Sequence, residues 1–233
     1  MLRGCRRFTP CDKMQILSHR GFHLGAAGIH ENTCAAFDRA IHAGVDGIET
    51  DIRLSADGVP VLFHDRVVRG VHPIESLTRR GLQDLLEYEI PSLQEILESW
   101  PDLFWNLEVK CPAAVAATID CVRRHPRPER ILVTSFRHDI VQECAARLNV
   151  ACGLIAAHSP IEVVEFLAPW QATPQVRTIV WDFNVVDAAL VEEAQRRGFE
   201  VYAYGAITAE EHQLCREWGL SAVITDFPDR CIV

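Results

Sequence analysis

The sequence contains no long apolar run. Across its 233 residues, no stretch approaches the roughly 18 to 20 consecutive apolar residues that a membrane-spanning helix needs. The first residues, MLRGCRRFTPCDKMQ, also lack the apolar segment that is typical of a secretory signal. We therefore expect a cytoplasmic protein that makes no stable insertion into a membrane.

The sequence also lacks paired cysteines and an excess of basic residues, and each absence disfavours a class of protein. The nine cysteines show neither the paired spacing of a zinc site nor the density of a small disulfide scaffold. The net charge of -9 disfavours sequence-independent binding to nucleic acid, which relies on Lys and Arg to neutralise phosphates. We expect no nucleic-acid partner, whereas a local basic pocket for one phosphate and a homo-oligomer are both compatible with the composition.

Short apolar segments rich in β-branched residues alternate with helical patterns along the chain. The predicted strands are 15–18, 47–53, 103–109, 130–135, 151–156, 178–182, 200–205 and 221–226. Strict alternation of strands and helices predicts a parallel sheet with helical crossovers, and eight strands suit a closed (β/α)₈ TIM barrel. We expect a single domain over residues 1–233.

An open, doubly wound sheet is the alternative fold. Such a sheet usually carries a glycine-rich phosphate loop after its first strand. Gly21, Gly25 and Gly28 do follow that strand, but their spacings match neither the dinucleotide nor the P-loop fingerprint. Within the barrel we expect a short hairpin and cap insertion after the second strand, over about residues 65–90, and a last helix that is very short or missing.

Polar residues stand at the carboxyl ends of the predicted strands, where a parallel barrel places its active site. His19 follows the first strand directly, and Glu49 and Asp51 lie two residues apart near the end of the second. Glu108 and Lys110 repeat that spacing on the third strand. Because successive side chains in a strand alternate between its two faces, the members of each pair share one face. We expect all of these side chains to point into one mouth.

A hairpin is predicted after the second strand, because Asp57-Gly58 is a two-residue turn signal between extended segments. If these two residues are the centre of the turn, Asp51 faces His64. Directly opposed residues have Cβ atoms about 5 Å apart. The hairpin therefore brings a second histidine to the carboxylates.

These residue types together indicate phosphoryl chemistry. Three carboxylates without clustered thiolates suit Ca²⁺ or Mg²⁺ better than zinc. His19 and His64 can act as base and acid near neutral pH, and Arg20 and Lys110 can donate charge-assisted hydrogen bonds to an anion. The alternative is that the carboxylates only form structural ion pairs with Arg20, Arg53 and Lys110, although charged groups in apolar strands are expensive to bury.

Six segments, in this order and spacing, resemble glycerophosphodiester phosphodiesterases from about Ile16 to Asp229. They are His19-Arg20-Gly21, Glu31-Asn32-Thr33 with Ala36-Phe37, GIETDIRLSADGVPVLFHD, IPSLQEIL, NLEVK and AVITDFPD. The resemblance implies a barrel hydrolase that uses a divalent cation to cleave glycerophosphodiesters to an alcohol and glycerol 3-phosphate. The implied metal ligands are Glu49, Asp51 and Glu108.

The same resemblance implies that His19 and His64 are the catalytic pair, with His19 as base and His64 as acid. It also implies that Arg20 and Lys110 are the phosphate contacts. Two routes stay open: attack by metal-bound water, or attack by a neighbouring substrate hydroxyl through a cyclic phosphate. In either route one histidine takes a proton from the nucleophile and the other protonates the departing alcohol.

Three departures from the family bear on specificity. His30 replaces the usual proline, residues 204–207 (YGAI) replace a usual Trp-Thr-Val-Asn run, and the segment from His64 to Ile90 is short. We expect Tyr204 to pack on the alcohol side of the substrate and the site to tolerate varied alcohols, because apolar walls discriminate weakly. Two other functions stay open: a related phosphodiesterase acting on lysophospholipids or other phosphodiesters, and a catalytically silent barrel that binds a phosphorylated ligand.

Overall fold

A computed structural model describes residues 14–231 as a closed barrel of eight parallel strands. The barrel strands are β1 (Gln15–His19), β2 (Gly47–Leu54), β6 (Phe104–Val109), β7 (Ile131–Ser135), β8 (Ala151–Ala156), β9 (Val176–Asp182), β10 (Glu200–Tyr204) and β11 (Ala222–Thr225). Three short strands lie between β2 and β6: β3 (Pro60–Leu62), β4 (Val67–Val68) and β5 (His72–Pro73). The barrel order is β1-β11-β10-β9-β8-β7-β6-β2, and pairing of β1 with β2 closes it. The predicted TIM barrel and its eight strands are confirmed.

Seven α-helices connect consecutive barrel strands, and one more lies in the insertion. They are α1 (Cys34–His42), α2 (Arg79–Leu86, in the insertion), α3 (Leu93–Ser99), α4 (Val115–Arg124), α5 (His138–Arg147), α6 (Val163–Leu167), α7 (Ala188–Arg196) and α8 (Ala209–Glu217). After β11 the described chain forms only a 3₁₀ turn, Pro228–Arg230, which confirms the short last helix. None of the helices between residues 14 and 231 is long and apolar enough to cross a membrane.

The motif IPSLQEIL begins α3 through a capping box. Ser92 Oγ accepts a hydrogen bond from the Glu95 backbone N–H at 3.3 Å, and Glu95 Oε2 accepts one from the Ser92 N–H at 2.8 Å. These bonds satisfy two amides that have no partner within the helix, and a cap of this kind stabilises a helix by about 1 kcal/mol. The helix then buries Leu93, Ile96 and Leu97 against the barrel.

Two apolar cores lie on the two faces of the barrel wall. The larger one fills the space between the strands and the outer helices. The smaller one fills the barrel interior and consists of Leu17, Leu132, Ile155, Val180, Tyr202, Ala222 and Ile224. Polar side chains at the carboxyl ends of the strands therefore lie above a packed apolar floor.

The insertion between β3 and α3 has a small core of its own, formed by Val61, Val68, Ile74, Leu82 and Ile90. This cluster packs α2 and the β4–β5 hairpin onto β3. The pattern of the sequence predicts the insertion but not α2, which has only one fully buried residue of its own.

The predicted pairing of Asp51 with His64 is wrong by one residue. The loop between β2 and β3 contains three residues, 56–58, and not two, with Gly58 in the left-handed region at φ 76°. Asp51 O therefore accepts a hydrogen bond from the Phe63 backbone N–H at 3.0 Å. A slip of one residue reverses the face on which a side chain lies. His64 nevertheless lines the site, because it lies beyond the end of β3 in irregular backbone.

A pH-dependent contribution to stability is expected from His212, which is fully buried on α8. Burial disfavours the imidazolium and lowers the pKa of His212 below its usual 6.5. Since the unfolded chain then binds a proton that the folded chain does not, this contribution is complete above pH 6.5 and is lost as the pH falls below it.

We therefore predict that the free energy of unfolding of His212→Gln decreases less steeply than that of wild type between about pH 7 and pH 5. The difference in slope is at most about 1.4 kcal/mol per pH unit. Glutamine keeps a donor for Ala206 O, which accepts from His212 Nε2 at 3.1 Å, but cannot titrate. Urea denaturation at several pH values measures the slopes, and equal slopes would contradict the prediction.

Candidate active site

One pocket opens at the carboxyl ends of the barrel strands. Its charged wall contains His19, Arg20, Glu49, His64, Glu108 and Lys110. Asp51 borders this wall through its ion pairs with Arg20 and Lys110. The structure thus brings together all seven charged residues singled out in the sequence, and Tyr204 lines the same pocket.

The His-Arg-Gly motif forms a tight turn that points Arg20 into the pocket. Arg20 and Gly21 both have positive φ, 55° and 79°. A Cβ on Gly21 would lie 2.7 Å from Ala36 Cβ and 2.8 Å from Ala36 C, so only glycine fits against α1. The Arg20 N–H donates to Glu49 O at 2.9 Å, and Arg20 O accepts from the Asn32 N–H at 2.9 Å. The turn is therefore fixed between β2 and the loop that precedes α1.

Three carboxylates lie close together near this turn. One oxygen from each of Glu49, Asp51 and Glu108 lies within 4.8 Å of the others, and all three residues are buried. The parallel register of β2 and β6 pairs Asp51 directly with Glu108. An all-oxygen set of this size is the ligand type that Ca²⁺ and Mg²⁺ prefer.

Two cationic side chains balance part of the negative charge. Lys110 Nζ lies 2.6 Å from Glu108 Oε1 and 3.3 Å from Asp51 Oδ1. Arg20 Nε lies 3.1 Å from Asp51 Oδ2, and Asn32 Nδ2 donates to the same oxygen at 2.9 Å. Burial alone would raise the pKa of Asp51, but the charges of Lys110 and Arg20 outweigh it and lower that pKa. Asp51 is therefore held as a carboxylate.

Glu49 is the least compensated of the three carboxylates. Its Oε1 is buried, and none of the residues between 14 and 231 gives it a hydrogen bond. Burial, followed by the charge of Asp51, raises the pKa of Glu49 to about 8. A divalent cation would supply the missing positive charge and a partner for this oxygen. The three carboxylates therefore fit a metal ion.

His19 is oriented by a carboxylate that the sequence analysis did not select. Its Nδ1–H donates to Asp226 Oδ1 at 2.8 Å, and its Nε2 lies 3.8 Å from Glu49 Oε2. Burial lowers the pKa of His19, but the hydrogen bond to Asp226 and the charges of Glu49 and Asp226 together raise it above 6.5. With Nδ1 engaged, Nε2 is the nitrogen that faces the pocket.

His64 has the same arrangement at a more exposed position. Its Nδ1–H donates to Asp65 Oδ1 at 2.8 Å, and its backbone oxygen accepts a hydrogen bond from Arg53 Nε at 2.8 Å. Arg53 therefore anchors the end of the hairpin, whereas Arg20 and Lys110 pair with the carboxylates. Both histidines are thus positioned by an aspartate on one ring nitrogen.

The opposite wall of the pocket is apolar. It consists of Phe136, Ile155, Val180, Tyr204 and Ile224. The rings of Phe136 and Tyr204 meet edge to face, with centroids 6.0 Å apart, and Lys110 Nζ lies 5.7 Å from the Phe136 centroid. Burial and the adjacent Asp182 carboxylate raise the pKa of Tyr204. Tyr204 therefore stays a neutral phenol.

Sequence reasoning missed three residues of the pocket region: Asp226, Asn106 and Phe136. Asn106 and Phe136 line the pocket, and Asn106 Oδ1 accepts a hydrogen bond from Thr134 Oγ1 at 2.8 Å. Asn106 precedes Glu108 by two residues, and Asp226 and Phe136 each follow the end of a barrel strand. The alternation rule that selected Glu108 could therefore have selected Asn106, and position directly after a barrel strand could have selected Asp226 and Phe136.

The departure at His30 has a structural counterpart in the insertion. The rings of His30 and Tyr88 stack with centroids 4.0 Å apart and planes inclined by 10°. This contact joins the loop before α1 to the end of the insertion. His30 therefore helps to hold the insertion beside Glu31, which pairs with Arg20 at 3.0 Å.

A TIM barrel with a carboxylate cluster and two histidines at the carboxyl ends of its strands has the arrangement of a barrel enzyme whose site can hold a metal ion. Comparisons with known proteins specify the family. The family model described as "Glycerophosphoryl diester phosphodiesterase family" matches residues 19–230. The chain belongs to this family and is an enzyme of the glycerophosphodiester phosphodiesterase class.

Relatives and solved structures agree with this assignment. A glycerophosphodiester phosphodiesterase from Caldanaerobacter subterraneus subsp. tengcongensis is 26% identical over 251 residues, covering 94% of this chain and 97% of the relative. A human lysophospholipase D is 23% identical over 270 residues, covering 94% and 86%. The structure of an Oleispira antarctica phosphodiesterase in complex with the product sn-glycerol-3-phosphate matches with a TM-score of 0.81 and 25% identity, covering 93% of this chain and 94% of that one.

The close approach of Gly21 to α1 gives a prediction with a matched control. Gly21→Ala should lower the free energy of unfolding more than Gly28→Ala. Both glycines have positive φ, 79° and 77°, so both substitutions strain the backbone, by about 1 to 2 kcal/mol. A Cβ on Gly28 meets nothing within 4 Å, whereas at Gly21 it meets α1, which adds about 1 to 3 kcal/mol of overpacking.

Urea denaturation of the two variants measures this difference. Equal destabilisation would show that α1 moves aside without loss. Such a result would remove close packing as the reason for glycine at this position.

Proposed function

We propose that this protein hydrolyses glycerophosphodiesters to an alcohol and glycerol 3-phosphate, with Mg²⁺ or Ca²⁺ bound by Glu49, Asp51 and Glu108. The observation that carries the proposal is the convergence of three buried carboxylates within 4.8 Å, in a pocket that also contains two histidines. The Oleispira antarctica relative was solved with sn-glycerol-3-phosphate, which supports the same product here. We place the enzyme in the cytoplasm as a single domain over residues 1–233.

In this proposal His19 is the general base and His64 the general acid. Support comes from the aspartates that engage Nδ1 of each ring and leave each Nε2 available. When bound, the cation polarises a phosphoryl oxygen and stabilises negative charge in the transition state. The two histidines move the protons to and from the reacting oxygens.

Arg20 and Lys110 bind the phosphodiester, and Tyr204 packs on a substituent of the substrate. Arg20 reaches the pocket from the turn after β1, and Lys110 from the end of β6. Both are already paired with carboxylates, which holds their charged groups at the mouth. Pre-positioned cations lose less side-chain entropy when an anion binds, because their geometry is set before binding.

The cation site gives a prediction that does not require a known substrate. Ca²⁺ or Mg²⁺ should raise the melting temperature, because a ligand that binds only the folded state stabilises it. Glu49→Gln should weaken that stabilisation, since it removes a charged ligand. Glu165→Gln is the matched control, because Glu165 is exposed on α6.

Differential scanning calorimetry at several metal concentrations measures these shifts. Full activity after exhaustive chelation would contradict a role for the cation, provided that mass spectrometry detects no metal retained by the protein. An equal shift in wild type and in Glu49→Gln would place the cation elsewhere.

The catalytic pair gives a second prediction. His19→Ala and His64→Ala should each lower kcat by about 10² to 10⁴, the usual range for loss of a positioned acid or base. His42→Ala is the control, because His42 lies on α1 with its Nδ1 bonded to Asp38 O and does not line the pocket. Circular dichroism should show all three variants folded.

Glycerophosphocholine, glycerophosphoethanolamine and glycerophosphoinositol with each metal are the substrates for this test. Phosphorus NMR of the products separates direct release of glycerol 3-phosphate from a cyclic phosphate. Near-normal turnover by His64→Ala on a substrate with a poor leaving group would remove His64 from the mechanism. No turnover of any diester by wild type would favour a barrel that only binds a phosphorylated ligand.

A further inference from the structure

Exposed large apolar side chains are concentrated on one face of the described molecule. Seven such side chains occur between residues 14 and 231: five lie in the loops or in the insertion that follow barrel strands, and a sixth, Val164, lies in the first turn of α6. Those six, here called the apolar rim, are Leu24, Val71, Phe136, Ile161, Val164 and Ile207. The seventh, Leu214, lies on the outer helix α8.

This distribution differs from the ordinary scatter of apolar residues on a protein surface. Single exposed apolar side chains are common and need no explanation. In the described part of the chain, the outer helices contribute only Leu214 on α8 and Val164, which lies in the first turn of α6 directly after the β8–α6 loop. Ile161 and Val71 are 101% and 71% exposed, so neither is partly covered by its own loop. Their position around the catalytic mouth is therefore what requires an explanation.

The rim is continuous with the apolar wall of the pocket. Phe136 belongs to both, because it lines the pocket and is also exposed at the surface. Below it the wall continues through Ile155 and Val180 to the barrel interior. A ligand with a phosphodiester on the charged side and an apolar chain on the Phe136 side would leave the pocket along the rim.

The separation of the rim residues favours a lipid surface over a protein partner. Five of them stand on the β1–α1, β7–α5, β8–α6 and β10–α8 loops and on the β4–β5 turn, and Val164 stands in the first turn of α6, so no single helix or strand carries them. A protein partner needs a packed, shape-complementary patch, whereas a lipid surface accommodates separate apolar side chains without matching their outline.

The charges of the protein indicate which kind of lipid surface the rim would contact. The net charge of the chain is -9, which opposes docking on a strongly anionic membrane. Near the rim, Arg66 and Arg69 are exposed beside Val71, and Glu162 and Glu165 are exposed beside Ile161 and Val164. Because both signs are present, the face suits a zwitterionic lipid surface.

We infer that the catalytic face docks on zwitterionic lipid surfaces through the apolar rim, so that the pocket opens against the lipid and receives phosphodiesters that carry an acyl chain. Docking itself is independent of the proposed function. The inference that the substrates carry an acyl chain rests on the proposed function.

The binding test is co-sedimentation of the full chain with phosphatidylcholine vesicles. A Val71→Ser/Ile161→Ser double variant should bind about tenfold more weakly, because two exposed aliphatic side chains no longer leave water. Leu214→Ser is the matched control and should bind like wild type, since it removes a similar side chain from the outer helix. Binding of wild type should change little between about 50 mM and 500 mM salt, because the contact is apolar.

Four results would overturn the docking inference. These are absence of wild-type binding to phosphatidylcholine vesicles, equal weakening by Leu214→Ser, and binding that occurs only on anionic vesicles and disappears with salt. The fourth is a dimer, detected by light scattering, that the double variant converts to a monomer, since a second copy would then cover the rim.

The activity test separates this inference from the proposed function. The double variant should keep wild-type kcat/KM on soluble glycerophosphocholine and lose about tenfold on lysophosphatidylcholine presented in vesicles, in proportion to the lost binding. If wild type cleaves the soluble diester but neither binds vesicles nor prefers the lipid form, only the docking inference fails. If it binds vesicles and cleaves neither substrate, the proposed function fails and docking stands.

Discussion

Mutual repulsion among three buried carboxylates is the constraint on which the rest of the site depends. One carboxylate oxygen from each of Glu49, Asp51 and Glu108 lies within 4.8 Å of the others, and all three residues are buried. Lys110 and Arg20 supply two positive charges, and both reach Asp51, whereas Glu49 Oε1 has no hydrogen-bond partner among residues 14–231. Burial, followed by the charge of Asp51, raises the pKa of Glu49 to about 8. The cluster is therefore short of positive charge at the position where a cation would complete it.

The backbone around this cluster is arranged to keep Arg20 in place. Arg20 and Asn32 both have positive φ, which is unusual for residues with a side chain, and hydrogen bonds bind each to the other and to β2. Asn32 also accepts from Thr50 Oγ1 at 2.7 Å and donates to Asp51. Strain of this kind persists only where the surroundings fix it, so the turn after β1 and the carboxylates form one rigid unit.

The sequence was sufficient for those parts of the molecule that follow from local periodicity. Strand positions follow from the short apolar segments, and the shared face of Glu108 and Lys110 follows from the alternation of side chains along a strand. Their closeness to Glu49 and Asp51 follows because parallel strands end at the same edge of the barrel. The hairpin register did not follow, because Asp57-Gly58 fits both a two-residue turn and the three-residue loop that forms. The pairing of Asp226 with His19 also did not follow, because it joins residues 207 positions apart through closure of the barrel.

The strand order divides the barrel mouth into a charged half and an apolar half. The charged residues come from the neighbouring strands β6, β2 and β1 and from the segments that follow them, and Asp226 follows the adjacent β11. The apolar wall comes from β7, β8, β9 and β10 and their ends, with only Ile224 on β11. The motifs that resemble the family lie in the charged half, and the departure at residues 204–207 lies in the apolar half. Because the two halves meet only at the barrel seams, substitutions along β7 to β10 can change which substituent is accommodated while the carboxylates and histidines keep their positions.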